Sequence, residues 1–140
     1  MPQYILFIKA ELQHVKSFRP KEGARFCVDL TSGSETRSGV WIDPNVQVDA
    51  PGGRSETNLV ISFEGVKSQA TVDIVSCSEV ATEYKEENSG QWVAIQCFEC
   101  RGCEVAAYTP GDDWIVVGES GQEFDEGKVI RVLYFLFTIL

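Results

Sequence analysis

Three of the chain's five cysteines lie close together, at positions 97, 100 and 103. Cys100-Arg101-Gly102-Cys103 is a Cys-x-x-Cys motif, and this spacing lets two thiolates converge over one turn as half of a tetrahedral zinc site. Cys97 precedes the motif on a segment that alternates like a β-strand, so we expect it to point to the opposite face from Cys100. The motif by itself therefore supplies two of the four ligands that zinc needs.

Three interpretations of these thiols remain open. They are free thiols buried in a β core, a soft-metal site in which Cys97, Cys100 and Cys103 bind zinc or copper(I), or a redox-active Cys-x-x-Cys pair. The other candidate ligands are Cys27, Cys77 and the single histidine, His14. Nothing near these three in the sequence pairs them. A thioredoxin-like site is excluded because no βαβ pattern surrounds the motif.

The rest of the sequence offers no recognisable catalytic group. His14 has no Ser or Cys nucleophile in a known motif. The acidic residues between positions 112 and 126 lack the spacing of a calcium loop and are typical of a solvated segment. Gly52-Gly53-Arg54 offers backbone amides and a guanidinium to an anion, and a plain turn is the alternative. We therefore predict that the protein is not an enzyme.

Composition limits the class of protein and its partners. The chain has 140 residues, of which 44% are hydrophobic, as expected for a single globular domain. Its formal net charge of −9 argues against nucleic acid or an anionic membrane as the main partner and favours another protein. The apolar N-terminal run is cut short by Lys9 and Glu11, unlike a signal peptide. We expect a cytoplasmic or nuclear protein.

The pattern of short apolar runs and turn residues predicts an all-β fold with little or no helix. We expect two small β-sheets or half-barrels, in a sandwich-like or barrel-like arrangement. Trp41 is expected to anchor the core. Strands are predicted at residues 3–17, 25–30, 39–42, 58–63, 70–75, 91–98, 104–108, 114–117 and 128–140.

The polar, acidic segment 77–90 is the best candidate for a connection between two parts of a single domain, residues 1–140. It would join lobes formed by residues 1–76 and 91–140. In each lobe a strand enters a tight turn and a Trp-Ile pair follows, at Trp41 and at Trp114. The echo indicates either chance similarity between strands or an old duplication with a pseudo-two-fold relation.

Several short motifs occur in a characteristic order along most of the chain. They are Phe18-Arg19-Pro20, Trp41, Gly52-Gly53-Arg54, Phe98-Glu99-Cys100-Arg101-Gly102 and Phe124-Asp125. Together they resemble the eukaryotic CXXC-motif-containing zinc-binding protein family, a group of small all-β proteins of unassigned function.

The departures from the family pattern concern its metal site. The resemblance implies two CxxC pairs that flank the Gly-Gly-Arg loop. Here the first pair falls on Thr31 and Ser34, and the second falls on Phe63 and Val66. Because none of these side chains is a usable zinc ligand, the resemblance implies that the family's zinc site is absent and that no cofactor is held there. We predict a non-enzymatic, zinc-less member that acts as a protein-interaction module, with no prediction of its oligomeric state.

Overall fold

A computed structural model of the protein describes residues 2–124 and 130–139. The strands are β1 (Gln3–Leu12), β2 (Val15–Pro20), β3 (Phe26–Ser32), β4 (Glu35–Ile42), β5 (Val48–Asp49), β6 (Glu56–Thr57), β7 (Leu59–Ile61), β8 (Ala70–Val75), β9 (Tyr84–Lys85), β10 (Trp92–Arg101), β11 (Glu104–Thr109), β12 (Trp114–Gly118), β13 (Glu123–Phe124) and β14 (Ile130–Ile139). Among the residues described, helical structure is limited to a 3-10 turn, Glu86–Asn88. The prediction of an all-β fold is confirmed.

The strands form small antiparallel sheets. A five-stranded sheet has the order β14-β1-β10-β8-β7, a four-stranded sheet the order β13-β12-β2-β9, and a three-stranded sheet the order β11-β3-β4, while β5 and β6 form a short ribbon. The last predicted strand appears as β14, and positions 125, 128, 129 and 140 of the sequence predictions lie outside the described residues. The helix among the described residues is far too short to span a membrane.

The prediction of one long strand over residues 3–17 is wrong. The chain breaks at His14, whose φ of 62° lies in the left-handed region, and β1 and β2 join different sheets. The inward-facing positions of β1 end at Leu12, which packs against the core, and those of β2 begin at Val15, which is buried in it. These two residues are three positions apart, so the alternation of apolar side chains changes phase at the break. The apolar residues on both sides favoured one strand, and the change of phase was the signal for two.

The expectation that Trp41 anchors the core is also wrong, since this residue is 46% exposed. Trp41 lies on β4, an edge strand, and the next residue, Ile42, is fully buried. Side chains alternate between the two faces of a strand, so the inward position of Ile42 places Trp41 outside. The anchoring aromatic is Trp114, which contacts the rings of Phe18 and Phe26 edge-on.

The acidic segment 77–90 contributes to the core as well as to the surface. Tyr84 of β9 is fully buried, and its ring stacks on Phe18 with the centroids 4.9 Å apart. Its hydroxyl accepts a hydrogen bond from the backbone N–H of Ala10. The segment is therefore packed against β1 and β2.

Strands from both parts of the chain occur in the same sheets. β1 lies between β10 and β14, and β12 lies beside β2. The two tight turns of the sequence echo also differ, because β3 pairs with β4 whereas β10 and β11 belong to different sheets. The described strands therefore do not divide into one sheet from residues 1–76 and another from residues 91–140.

Candidate functional site

Three turns meet at one end of the core. They are residues 31–34, which comprise the end of β3 and the turn to β4, residues 63–66 between β7 and β8, and residues 101–103, which comprise the end of β10 and the turn to β11. We call the place where the three meet the turn junction. The Ser32 hydroxyl donates a hydrogen bond of 2.8 Å to the carbonyl of Gly102. A Cβ atom at Gly33 would lie 3.8 Å from Cγ2 of Val66. The junction brings together residues that are far apart in the sequence.

The four positions that align with the family's CxxC pairs belong to the first two of these turns. Thr31 is half-buried and Ser34 is exposed, whereas Phe63 is only 4% exposed and Val66 packs against the main core. Hydroxyls are poor ligands for a structural zinc, and Phe and Val have no donor atom. The residues present at these positions therefore do not fit a zinc ion. Within the described part of the chain, no three His, Cys, Asp or Glu side chains are grouped to hold a metal.

Charged side chains of β4 reach across to the turn 63–66. The guanidinium of Arg37 donates to the carbonyl of Ser62 at 3.0 Å, and a carboxylate oxygen of Glu35 accepts from the backbone N–H of Glu64 at 2.7 Å. Sequence reasoning missed both residues. The available signal was their spacing of two, which places Glu35 and Arg37 on one face of a strand. These contacts join β4 to the turn between β7 and β8 at the turn junction.

The Cys-x-x-Cys pair lies in the third turn and in the strand before it. Cys100 is the residue before the last of β10, Cys103 lies at the end of the turn, and both belong to the main core. Hydrogen bonding to Cys103 and burial raise the pKa of the Cys100 thiol. The same hydrogen bond lowers the pKa of Cys103. Of the two sulfurs, Cys103 is therefore the one on which a negative charge is favoured.

Cys97 is separated from the other two cysteines, as the alternation of the strand predicted. It lies in a second apolar cluster with Ile5 and Ala94, on the side of the sheet away from the main core. Burial and a hydrogen bond with Cys77 raise the pKa of Cys97 to about 12. The three cysteines of the soft-metal hypothesis thus form a pair and a separate residue. The contact between Cys77 and Cys97 had no signal in the sequence, because Cys77 lies in the loop after β8 and Cys97 lies on β10.

The loop with Gly52, Gly53 and Arg54 is exposed and is held by its own backbone. The N–H of Gly53 donates to the carbonyl of Ala50, and the N–H of Ala50 donates to the carbonyl of Ser55, both at 2.9 Å. These bonds account for the Gly-rich sequence as a turn between β5 and β6. Anion binding by Arg54 stays a prediction.

Two tryptophans are displayed at the surface, at positions 41 and 92, with 46% and 44% of their surface exposed. The guanidinium carbon of Arg25 lies 4.9 Å from the ring centre of Trp41. Asp113 holds Arg25 in turn. Its carboxylate accepts one hydrogen bond from the backbone N–H of Arg25 at 3.0 Å and another from the Arg25 Nε at 3.1 Å. The hydrogen bond from that N–H, reinforced by the guanidinium, lowers the pKa of Asp113. Arg25, fixed by Asp113, therefore holds the ring of Trp41 in position.

Comparison with known proteins places the sequence among uncharacterised eukaryotic proteins. The family model described as CXXC motif containing zinc binding protein, eukaryotic, matches residues 5–129. A UPF0587 protein from Caenorhabditis elegans is 29% identical over 134 residues, covering 90% of this chain and 78% of the relative. A UPF0587 protein from Schizosaccharomyces pombe is 28% identical over 136 residues, covering 90% of this chain and 81% of the relative.

The fold is also found in a solved structure. A hypothetical protein from Plasmodium falciparum superposes with a TM-score of 0.86 at 22% identity, covering 99% of this chain and 100% of the other. At this identity the likeness supports the fold alone.

Proposed function

We propose a function from one premise: the chain belongs to the eukaryotic family of CXXC motif containing zinc binding proteins. The relatives are uncharacterised, and no enzymatic role is indicated by them. On this proposal the protein is a non-enzymatic member that holds no zinc at the family positions and acts by binding another protein. It works in the cytoplasm or nucleus, where protein cysteines, five of which are free here, are ordinarily kept as thiols.

The observation that carries the proposal is the way in which the turn junction is closed. Where relatives are expected to hold an ion, Phe63 is buried and Val66 lies against the turn that contains Gly33. A buried aromatic side chain contributes about 2–3 kcal/mol relative to an exposed one. The polar bonds of Glu35 and Arg37 complete the closure. The fold at this end is therefore stabilised by packing and hydrogen bonds.

Trp41 and its support favour protein binding over another role. Trp and Arg are the residue types that most often dominate the energy of protein interfaces. A ring already braced by Arg25 loses less conformational freedom on binding than a mobile one. The carboxylate of Asp113 fixes Arg25 without covering the outer face of Trp41, which stays 46% exposed. The chemistry fits a partner protein that offers an apolar pocket to this ring.

Metal analysis of protein purified without a histidine tag tests the zinc-free part of the proposal. We expect less than about 0.1 equivalents of zinc or copper per chain, and a melting temperature that EDTA leaves unchanged, because a structural zinc would contribute to folding directly. A stoichiometric metal, or a loss of many degrees with the chelator, would overturn it. Metal at stoichiometry that disappears with Cys100→Ser would instead support the soft-metal alternative.

Crosslinking in cells followed by affinity purification tests the binding part. The wild type is compared with Trp41→Ala and with Trp92→Ala as the matched control, since both remove an exposed tryptophan. We expect at least one protein that the wild type and the control retain and that Trp41→Ala loses. Identical sets of crosslinked proteins for all three would contradict a role for Trp41.

A further inference from the structure

The Cys100–Cys103 pair has the arrangement of a dithiol that can close into a disulfide. The two cysteines flank a tight turn, three positions apart, and both side chains belong to the main core. Gly102 adopts a φ of +79°, which an L side chain rarely takes, and a Cβ there would lie 3.4 Å from Cα and Cβ of Ala70. A glycine is therefore favoured at this position, and it lets the chain turn tightly between the two cysteines.

The two sulfurs differ in their access to solvent. Cys103 lines a cavity of about 290 Å³ at the turn junction, together with Tyr4, Ser32 and Glu104. Cys103 is 7% exposed and Cys100 only 1%, so a reagent reaches Cys103 first. Because so little of Cys103 is exposed, a small molecule reaches its sulfur more easily than a protein thiol does.

Charge around the pair selects among small oxidants. Glu104 acts on Cys103, and Asp73 and Glu99 act on Cys100 through their negative charges. An anionic disulfide would be repelled by these carboxylates, whereas an uncharged hydroperoxide would not. The surroundings therefore favour a reagent that is both small and neutral.

We propose that Cys100 and Cys103 form a two-electron redox site for small uncharged hydroperoxides, in which Cys103 attacks the oxidant and Cys100 resolves the product. This site is independent of the proposed binding surface at Trp41. The lowered pKa of Cys103 agrees with its role, because the thiolate is the reactive form. Cys100 is more deeply buried and is a thiol at the start, so it reacts in the second step, with the oxidised Cys103.

The chemistry balances with the peroxide as the only co-reactant. The Cys103 thiolate attacks one peroxide oxygen and the O–O bond breaks. The second oxygen leaves as hydroxide and takes up the proton that Cys103 lost on ionising, which leaves a sulfenic acid on Cys103. The Cys100 sulfur then loses its proton and attacks the Cys103 sulfur, the S–O bond breaks, and the departing hydroxide takes up a proton. Two thiols have lost two electrons, and one hydrogen peroxide has become two waters.

Peptide mapping of the full-length, reduced protein after limited treatment with hydrogen peroxide tests the proposal. We expect the first disulfide to join Cys100 and Cys103. Glutathione disulfide, which is anionic, should form this disulfide at least about tenfold more slowly than hydrogen peroxide at equal concentration, because the carboxylates around the pair repel it. Cys100→Ser should stop the reaction at a sulfenic acid on Cys103, which dimedone traps, and Cys77→Ser should leave the Cys100–Cys103 disulfide unchanged.

Two outcomes would overturn the inference. One is a first disulfide between Cys77 and Cys97, and the other is oxidation of Cys77 while Cys103 remains a thiol. Both outcomes are measured on the wild-type protein, so they do not depend on whether a variant folds. Thermal melts of the variants then show whether a lost sulfenic acid reflects chemistry or unfolding.

Discussion

The hydroxyl of Tyr84 lies 3.1 Å from the backbone nitrogen of Ala10 and accepts a hydrogen bond from it, inside the core. The same oxygen is within donating distance of the carbonyls of Ala10, Asn88 and Gln91, at 2.7–3.0 Å. One side chain thus joins β1 to the last residue of the 3-10 turn and to Gln91, just before β10. These hydrogen bonds, which we call the Tyr84 hub, fix the acidic segment between residues 77 and 90 to the sheet.

Replacing Tyr84→Phe should lower the free energy of unfolding by about 1–3 kcal/mol, because buried backbone groups lose their partner. The ring and its stacking on Phe18 are retained, so the change reports the hydroxyl alone. Urea unfolding of the two proteins measures it. Tyr84→Ala, which also removes the ring, should cost about 3–5 kcal/mol, and equal stability of the wild type and Tyr84→Phe would rule out the hub.

Replacing Phe63→Ala should destabilise the protein by about 3–5 kcal/mol, since it opens a cavity in the core. Ser34→Ala is the control from the facing turn. Ser34 is exposed, so its change should stay within about 0.5 kcal/mol. Chemical denaturation measures the free energy of unfolding of both variants. If Phe63→Ala loses less of it than Ser34→Ala does, packing does not close the turn junction.

Restoring cysteines at the four aligned positions should create a zinc site. Because Gly33 and Val66 bring the two turns into contact, the combined changes Thr31→Cys, Ser34→Cys, Phe63→Cys and Val66→Cys should give about one tightly bound zinc per chain. The pair Thr31→Cys and Ser34→Cys alone supplies two ligands and should bind zinc much more weakly. Zinc titration monitored by a metallochromic competitor distinguishes them, and equal affinities would show that the four positions do not converge.

Replacing Asp113→Asn should weaken the protein most at neutral pH. The pKa of Asp113 is lowered in the folded state by the N–H and guanidinium of Arg25, so its contribution is present above the unfolded pKa of about 3.9 and is lost as pH falls through the lower folded value. The stability difference between wild type and variant should therefore shrink below about pH 4. Urea unfolding at several pH values measures this difference.

Asp112→Asn is the control for the pH series, because the neighbouring side chain is exposed. It should leave both the stability and its pH profile close to those of the wild type. A difference for Asp113→Asn that stays constant down to pH 2 would contradict the titration of this carboxylate.

Much of the fold and part of the site could be predicted because they depend on local pattern. The alternation of β10 set Cys97 and Cys100 on opposite faces, and the structure places them in two separate clusters. The exposure of Trp41 could not be predicted, since alternation tells which residues share a face but not which face another element covers.

By itself, the sequence determined that the chain forms short strands joined by tight turns, and that Phe63 and Val66 supply no metal ligand. Only the tertiary structure decided that Val66 meets Gly33, that Cys77 meets Cys97, and that the chain turns at His14 into another sheet. The physical reason is range. Strand and turn preferences act between neighbours in the chain, whereas these contacts join residues that only the packing of several sheets around one core brings together.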